Sequence, residues 1–165
     1  MLIEAALIIE MHRSNPAMDD KTAEAYAGWV VEESENHKLD PWLVYSLVHV
    51  ESRWKTSAFR LEGDGTCSVG LGQINVPNCD PWTIERLHDP HHNLKTVTLR
   101  LDLLRRICRK KCEGIGFVRG YNPGDRSYLR LIGQVLERCH DDYEPALREV
   151  RTGMHVSRVW GAGPC

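Results

Sequence analysis

Apolar residues recur at helical spacing through most of this chain, and the exceptions are as telling as the rule. Between Pro41 and Arg53 the run Trp42, Leu43, Val44, Leu47 and Val48 keeps one apolar face. Asp40-Pro41 opens it with an acceptor side chain at the cap and a proline preset for the first turn. Asn93, Leu94, Val97, Leu101, Leu104 and Ile107 form a second stripe, with Arg100, Arg105, Arg106 and Arg109 on or near its wet side. Such patterning predicts helices at about 2–12, 19–36, 41–53, 92–111, 125–139 and 143–151. Residues 56–82 break the pattern with Gly, Asp, Asn and Pro, so they are expected to be loop-rich, with any strand short and edge-like. The fold class is therefore mainly α.

The last turn of the helix at 41–53 carries a carboxylate where the pattern asks for an apolar residue. Glu51 follows Leu47 by four positions and Val48 by three, so it shares their buried face. Burial disfavours the charged form of a carboxyl, and a helix C-terminus is unfavourable to a negative charge as well. Both effects favour an acid that stays protonated near neutral pH, as donation to a leaving oxygen requires. An ordinary surface Glu in a last helical turn is the plain alternative. The glycine-rich segment that follows, with Gln73 and Asn75, is placed to fold back towards this carboxylate.

Four short motifs extend the pattern, in order: Glu51-Ser52; Gly70-Leu71-Gly72-Gln73-Ile74; Asp89-Pro90 with Asn93-Leu94; and Gly120-Tyr121-Asn122-Pro123-Gly124. Together they resemble the soluble lytic transglycosylase (SLT) domain of the lysozyme superfamily, whose pattern runs ES, GLMQ, DP, N(I/L), YN(A/P)G. The resemblance spans about Ala25 to Leu136 and implies a lysozyme-like fold. It also implies cleavage of the glycan strands of peptidoglycan, with Glu51 as the single acid/base. Ser68, Gln73, Asn75, Tyr121 and Asn122 are then the expected substrate-binding residues, with the Tyr121 hydroxyl within hydrogen-bonding reach of Glu51, directly or through one water. No cofactor and no metal is implied.

Departures from that pattern bear on the outcome of the reaction. Gly72 stands where the family carries methionine, which is expected to remove a side chain from the cleft wall, and Gly120 stands in place of alanine. The segment between Glu51 and Gln73 is longer than in most such domains and resembles goose-type lysozymes in length. In that comparison Asp64 falls at an acidic position of those hydrolases, while Asn75 replaces another acid. A lyase needs one carboxylate, because the sugar's own C6 hydroxyl closes an anhydro ring. An inverting hydrolase positions water with a second carboxylate, roughly 6.5–9.5 Å from the first. Asp64, or secondarily Glu62, is the candidate for that role, and Gly63-Asp64-Gly65 is equally good turn composition. A third reading is a peptidoglycan-binding or assembly subunit without chemistry.

Aromatic residues divide by position. Trp54, Phe59 and Trp82 are candidates for stacking on sugar faces, whereas Trp29 and Trp42 lie in helical apolar patterns and are expected in the core.

Composition adds limits. With 165 residues, 42% of them hydrophobic, the chain suits a single domain with a real core. A net charge of −2 supplies no basic field, which argues against a nucleic-acid partner and against long-range attraction to an anionic cell wall. Residues 1–11, MLIEAALIIEM, are too short to span a bilayer, contain Glu4 and Glu10, and lack a basic leader. The expectation is an amphipathic helix packed on the core with no stable membrane insertion, and an uncleaved signal anchor is the alternative. A chain made in the cytoplasm that acts on the cell wall without a signal peptide fits a phage lysis enzyme released through a holin, or a virion or secretion-assembly component.

Six cysteines occur without paired C-x₂-C units, so zinc-finger spacing is absent. Free thiols are the default for a chain with no visible export signal, and Cys67–Cys79 is the first bridge to test. The basic run Arg105 to Lys111 reads as a solvated helix end whose cations complement the dipole.

Overall fold

The computed structural model describes residues 2–108 and 112–151. Six α-helices and a small sheet follow one another there: α1 (Leu2–Ser14), α2 (Asp20–His37), α3 (Pro41–Ser52), β1 (Phe59–Leu61), β2 (Cys67–Val69), β3 (Ile74–Val76), α4 (Pro81–Leu87), α5 (Pro90–Cys108) and α6 (Tyr128–Arg151). Short 3₁₀ turns occupy Pro77–Cys79 and Gly116–Gly120. This is a mainly helical, lysozyme-like arrangement. None of the described helices is long and apolar enough to cross a membrane.

Helix α3 is the axis of the core. Every residue from Trp42 to Val48 is buried, so this helix packs on all sides instead of presenting one apolar stripe. Asp40 caps it by accepting from the Trp42 amide at 2.9 Å, and His140 Nε2 of α6 lies 2.7 Å from the other Asp40 oxygen. The cap thereby ties the start of α3 to α6. A left-handed Arg53 (φ 52°) and Trp54 (φ 62°) end the helix one residue beyond Ser52. Glu51 thus stands on the last turn of a buried rod.

Helix α1 packs on this core through Ala6, Leu7 and Met11, as the amphipathic reading expects. Glu10 is buried on the same face, where one carboxylate oxygen accepts from Tyr143 Oη at 2.7 Å and contacts Arg13.

Four expectations are corrected. The helices expected at 125–139 and 143–151 are one, α6, because Tyr128, Ile132, Val135, Cys139 and Tyr143 form an unbroken buried stripe across the supposed gap. The segment 56–82 contains a three-stranded antiparallel sheet in the order β1-β2-β3, and β2 is its buried central strand, not an edge. It pairs Ser68 with Arg60 on one side and with Asn75 on the other. The segment 81–87 is helical, capped by Asp80, which accepts from the Thr83 amide at 2.8 Å. Free thiols are not found among the described residues: Cys67 bonds to Cys79, and Cys108 bonds to Cys112.

Arg105 also departs from a merely solvated role. Its guanidinium donates to the carbonyls of His37 and Lys38 at 2.7 and 2.6 Å, closing the C-terminus of α2, and it pairs with buried Asp102 at 2.7 Å. Arg106 pairs with the same carboxylate. Burial acts to raise the pKa of Asp102, but the two guanidinium hydrogen bonds prevail and hold it at about 2. The rest of the basic run, Arg109 to Lys111, lies outside the described residues.

Candidate active site

The sheet and the end of α3 face each other across a cleft of about 610 Å³. All seven residues expected at the site line it: Glu51, Asp64, Ser68 and Gln73, together with Asn75, Tyr121 and Asn122. Arg60, Glu62 and Arg100 complete its charged wall.

Glu51 is half-buried, and its Oε1 accepts a hydrogen bond from Tyr128 Oη at 2.5 Å. Burial raises its pKa above the ordinary carboxyl value, and Glu62 adds to the rise. The Tyr128 hydrogen bond and the charges of Arg60 and Arg100 oppose it, without reversing the direction. The acid is therefore biased towards its protonated form by desolvation, as the position on the apolar face of α3 suggested.

Tyr121 carries a correction. Its ring is buried in the cleft wall, and its hydroxyl donates to the Gly72 carbonyl at 2.8 Å, so the direct hydrogen bond to Glu51 is made by another residue. Tyr128, stacked on Tyr121 with ring centroids 6.4 Å apart, supplies the phenol that Glu51 receives. Tyr128 was missed because it reads as one more apolar position on the stripe of α6.

The loop carrying Gln73 is locked from three directions. Buried Asn93 accepts from the Gly72 amide at 2.8 Å and donates to the carbonyls of Val69 and Leu87 at 3.0 and 2.8 Å. Gln73, in the left-handed region at φ 46°, donates its side-chain amide to the carbonyls of Ala58 and Gly70 at 3.2 and 3.0 Å. A Cβ on Gly70 (φ +73°) would lie 2.2 Å from Asn93 Nδ2, so the tight approach itself requires glycine. At Gly72 a Cβ would lie 2.1 Å from Val97 Cγ2 and 2.9 Å from the Tyr121 hydroxyl. The wall is not thinned where the family has methionine, as the sequence suggested; Val97 and Tyr121 fill that space.

The polar residues of the sheet are largely satisfied within the protein. Ser68 donates to Glu62, whose carboxylate also receives Arg60 Nε at 2.9 Å; those two hydrogen bonds hold the Glu62 pKa below its usual range. Asp64 accepts from the Thr66 amide at 3.0 Å and from its hydroxyl at 2.8 Å, in the manner of a turn residue, and these bonds lower its pKa. Asn75 donates to the Thr66 hydroxyl at 2.6 Å.

The expected aromatic platforms separate. Trp54 is 1% exposed and packs between Tyr45 and Tyr26, with centroids 5.6 and 6.2 Å away, so it belongs to the core and not to a sugar-stacking surface. Trp42 is buried as expected, and half-buried Trp29 stacks on His91 at 4.8 Å. Phe59 and Trp82 are exposed and do not line the cleft.

A mainly helical fold with one half-buried carboxylate facing a small antiparallel sheet across an open cleft defines a lysozyme-like, glycan-cleaving class of protein. The family model for the Transglycosylase SLT domain matches residues 29–142, and the chain belongs to that family. At the level of the family the activity is cleavage of peptidoglycan glycan strands. No curated protein and no solved structure matches the chain.

Proposed function

We propose that the chain is a lytic transglycosylase that cleaves the β-1,4 bond between N-acetylmuramic acid and N-acetylglucosamine. The observation carrying this reading is that Glu51 alone among the cleft carboxylates has a raised pKa and a single tyrosine hydrogen bond. Glu62 and Asp64 have lowered pKa values and are engaged with Ser68, Arg60 and Thr66.

In the proposed reaction Glu51 gives its proton to the glycosidic oxygen as the bond to the muramoyl C1 breaks. The muramoyl N-acetyl group stabilises the cation developing at C1. Glu51, now a carboxylate, takes the proton of the C6 hydroxyl while that oxygen closes on C1, giving a 1,6-anhydro end and restoring the acid. Tyr128 holds the carboxyl in position through both steps. Tyr121, Asn93 and Gln73 keep the opposing loop in place, and Ser68, Asn75 and Asn122 lie along the path of the strand.

A hydrolase would instead need Asp64 or Glu62 to activate water on the opposite face of the sugar. Mass spectrometry of digested peptidoglycan tests the assignment. Anhydromuramoyl ends are expected; reducing ends would make the chain a muramidase, and absence of release a binding subunit.

The disulfides Cys67–Cys79 and Cys108–Cys112 support a working place in an oxidising compartment, outside the cytoplasm. Release through a holin, or delivery within a virion or secretion assembly, is the route proposed.

A further inference from the structure

The arginines in and beyond the cleft show three patterns of pairing. Arg60 is spent on Glu62 at 2.9 Å. Arg105 and Arg106, further along α5, are spent on Asp102. Arg100 is different: among the described residues no carboxylate pairs with it, although it lines the cleft beside Glu51. Its guanidinium carbon lies 4.5 Å from the centroid of the Tyr121 ring, and Nη2 donates to the Tyr121 carbonyl at 3.0 Å.

A half-buried guanidinium held this way is an anion site in waiting. Five N–H donors are available to an arginine, and Tyr121 takes one of them. The guanidinium is held over the ring and to the Tyr121 carbonyl, so little rotamer entropy remains to be lost when a ligand binds. The chain as a whole carries a net charge of −2, so attraction of an anion into the cleft falls to local cations. A muramoyl sugar carries a lactyl substituent that N-acetylglucosamine lacks. That substituent ends in a carboxylate when no peptide is attached, and in a peptide bearing further carboxylates when one is.

Resting on the transglycosylase reading, we propose that Arg100 is a specificity residue that binds a carboxylate on the muramoyl substituent, selecting the muramoyl sugar for the side of the cleft next to Glu51. Arg100 also lowers the pKa of Glu51, so an anion bound to it would offset that charge and favour the protonated acid when substrate is in place. The site is thus coupled to the catalytic group as well as to the ligand.

The test measures binding in the Glu51→Gln background, so that no probe is consumed. Three muramoyl tetrasaccharides are titrated by calorimetry: one with free lactyl carboxylates, one with those groups capped as N-methylamides, and one carrying an L-alanyl-D-isoglutamine stem. A carboxylate-bearing probe is expected to bind about tenfold more tightly than the methylamide, the scale of one charge-assisted hydrogen bond. Preference for the first probe identifies the lactyl carboxylate of peptide-free strands as the source; preference for the third identifies the stem. Adding Arg100→Gln should bring the ratio to one, and Arg100→Lys should restore part of it. Equal affinity for all three probes, no binding of any, or a preference that survives Arg100→Gln overturns the inference. Failure of the transglycosylase reading shows separately, as no release of glycan fragments from sacculi by the unmodified chain.

Discussion

The Tyr128 hydroxyl and the Glu51 carboxylate lie 2.5 Å apart, although 77 positions separate them in the chain. That hydrogen bond lowers the pKa of Glu51 against the larger effect of burial. Tyr128→Phe is therefore expected to raise the pKa further and move the alkaline limb of the kcat/KM profile to higher pH. Turnover should fall about tenfold, since a hydrogen bond to a charged group is worth roughly 1.5–3 kcal/mol. Tyr121→Phe provides the contrast. It removes a bond to the Gly72 carbonyl, so it should cost about 1 kcal/mol of stability and leave the pH profile in place. A shifted profile in the Tyr121 variant and an unshifted one in the Tyr128 variant would reverse these roles.

Glu51→Gln is expected to remove glycan cleavage, with general acid catalysis typically worth about 10²–10⁴-fold. The same change should stabilise the fold at neutral pH. With its pKa raised in the folded state, Glu51 is harder to ionise there than in the unfolded chain, so ionising it costs stability above the unfolded pKa. Stability is then lost as pH rises from the unfolded value through the folded one, and regained only below the former. Denaturation of both proteins at pH 4 and pH 7 checks this: the variant should gain at pH 7 and lose its advantage at pH 4. Near-native activity on purified sacculi would remove Glu51 from the role of acid.

Asp64→Asn separates the lyase from the hydrolase. The turn accepts an amide oxygen at the Thr66 amide almost as well as a carboxylate, so a lyase should keep most of its activity. A loss comparable to that of Glu51→Gln, with an unchanged unfolding curve, would establish a water-positioning acid at 64.

Restoring the family's methionine should be harmful here. Gly72→Met is expected to destabilise the protein by about 1–3 kcal/mol, because Val97 Cγ2 and the Tyr121 hydroxyl hold the space next to its Cβ. Combining it with Val97→Ala should recover part of the loss, and a double-mutant cycle measures the coupling. Strict additivity of the two changes would show that they do not share one volume.

The Cys67–Cys79 bond ties the buried central strand to the 3₁₀ turn that leads into α4. Closing a loop of about this length is worth roughly 3 kcal/mol in the chain-entropy model. Replacing both cysteines with alanine should lower the unfolding free energy by about 2–3 kcal/mol in urea. An unchanged denaturation midpoint would mean that the bridge contributes nothing to the fold.

What the sequence determined by itself is what local chemistry can carry. The apolar period of α1, α2, α3 and α5, the Asp40-Pro41 start and the ordered motifs were enough to place a mainly helical fold and to single out Glu51 on a buried face. Seven expected residues line one cleft between the sheet and the end of α3, four of them (Glu51, Gln73, Tyr121 and Asn122) from the ordered motifs. Tertiary structure decided the rest. Two tyrosines seven positions apart carry the same hydroxyl, and only the packing of α6 on α3 assigns Tyr128 to Glu51 and Tyr121 to Gly72. Strands of three residues are too short to show a period, so the sheet is visible only once its partners meet. Arg100 sits in a polar stripe like its neighbours, and its place in the cleft depends on where the chain from Gly116 to Tyr121 crosses α5. Periodicity reports which face of an element is dry; it cannot report which partner reaches that face from a distant part of the chain.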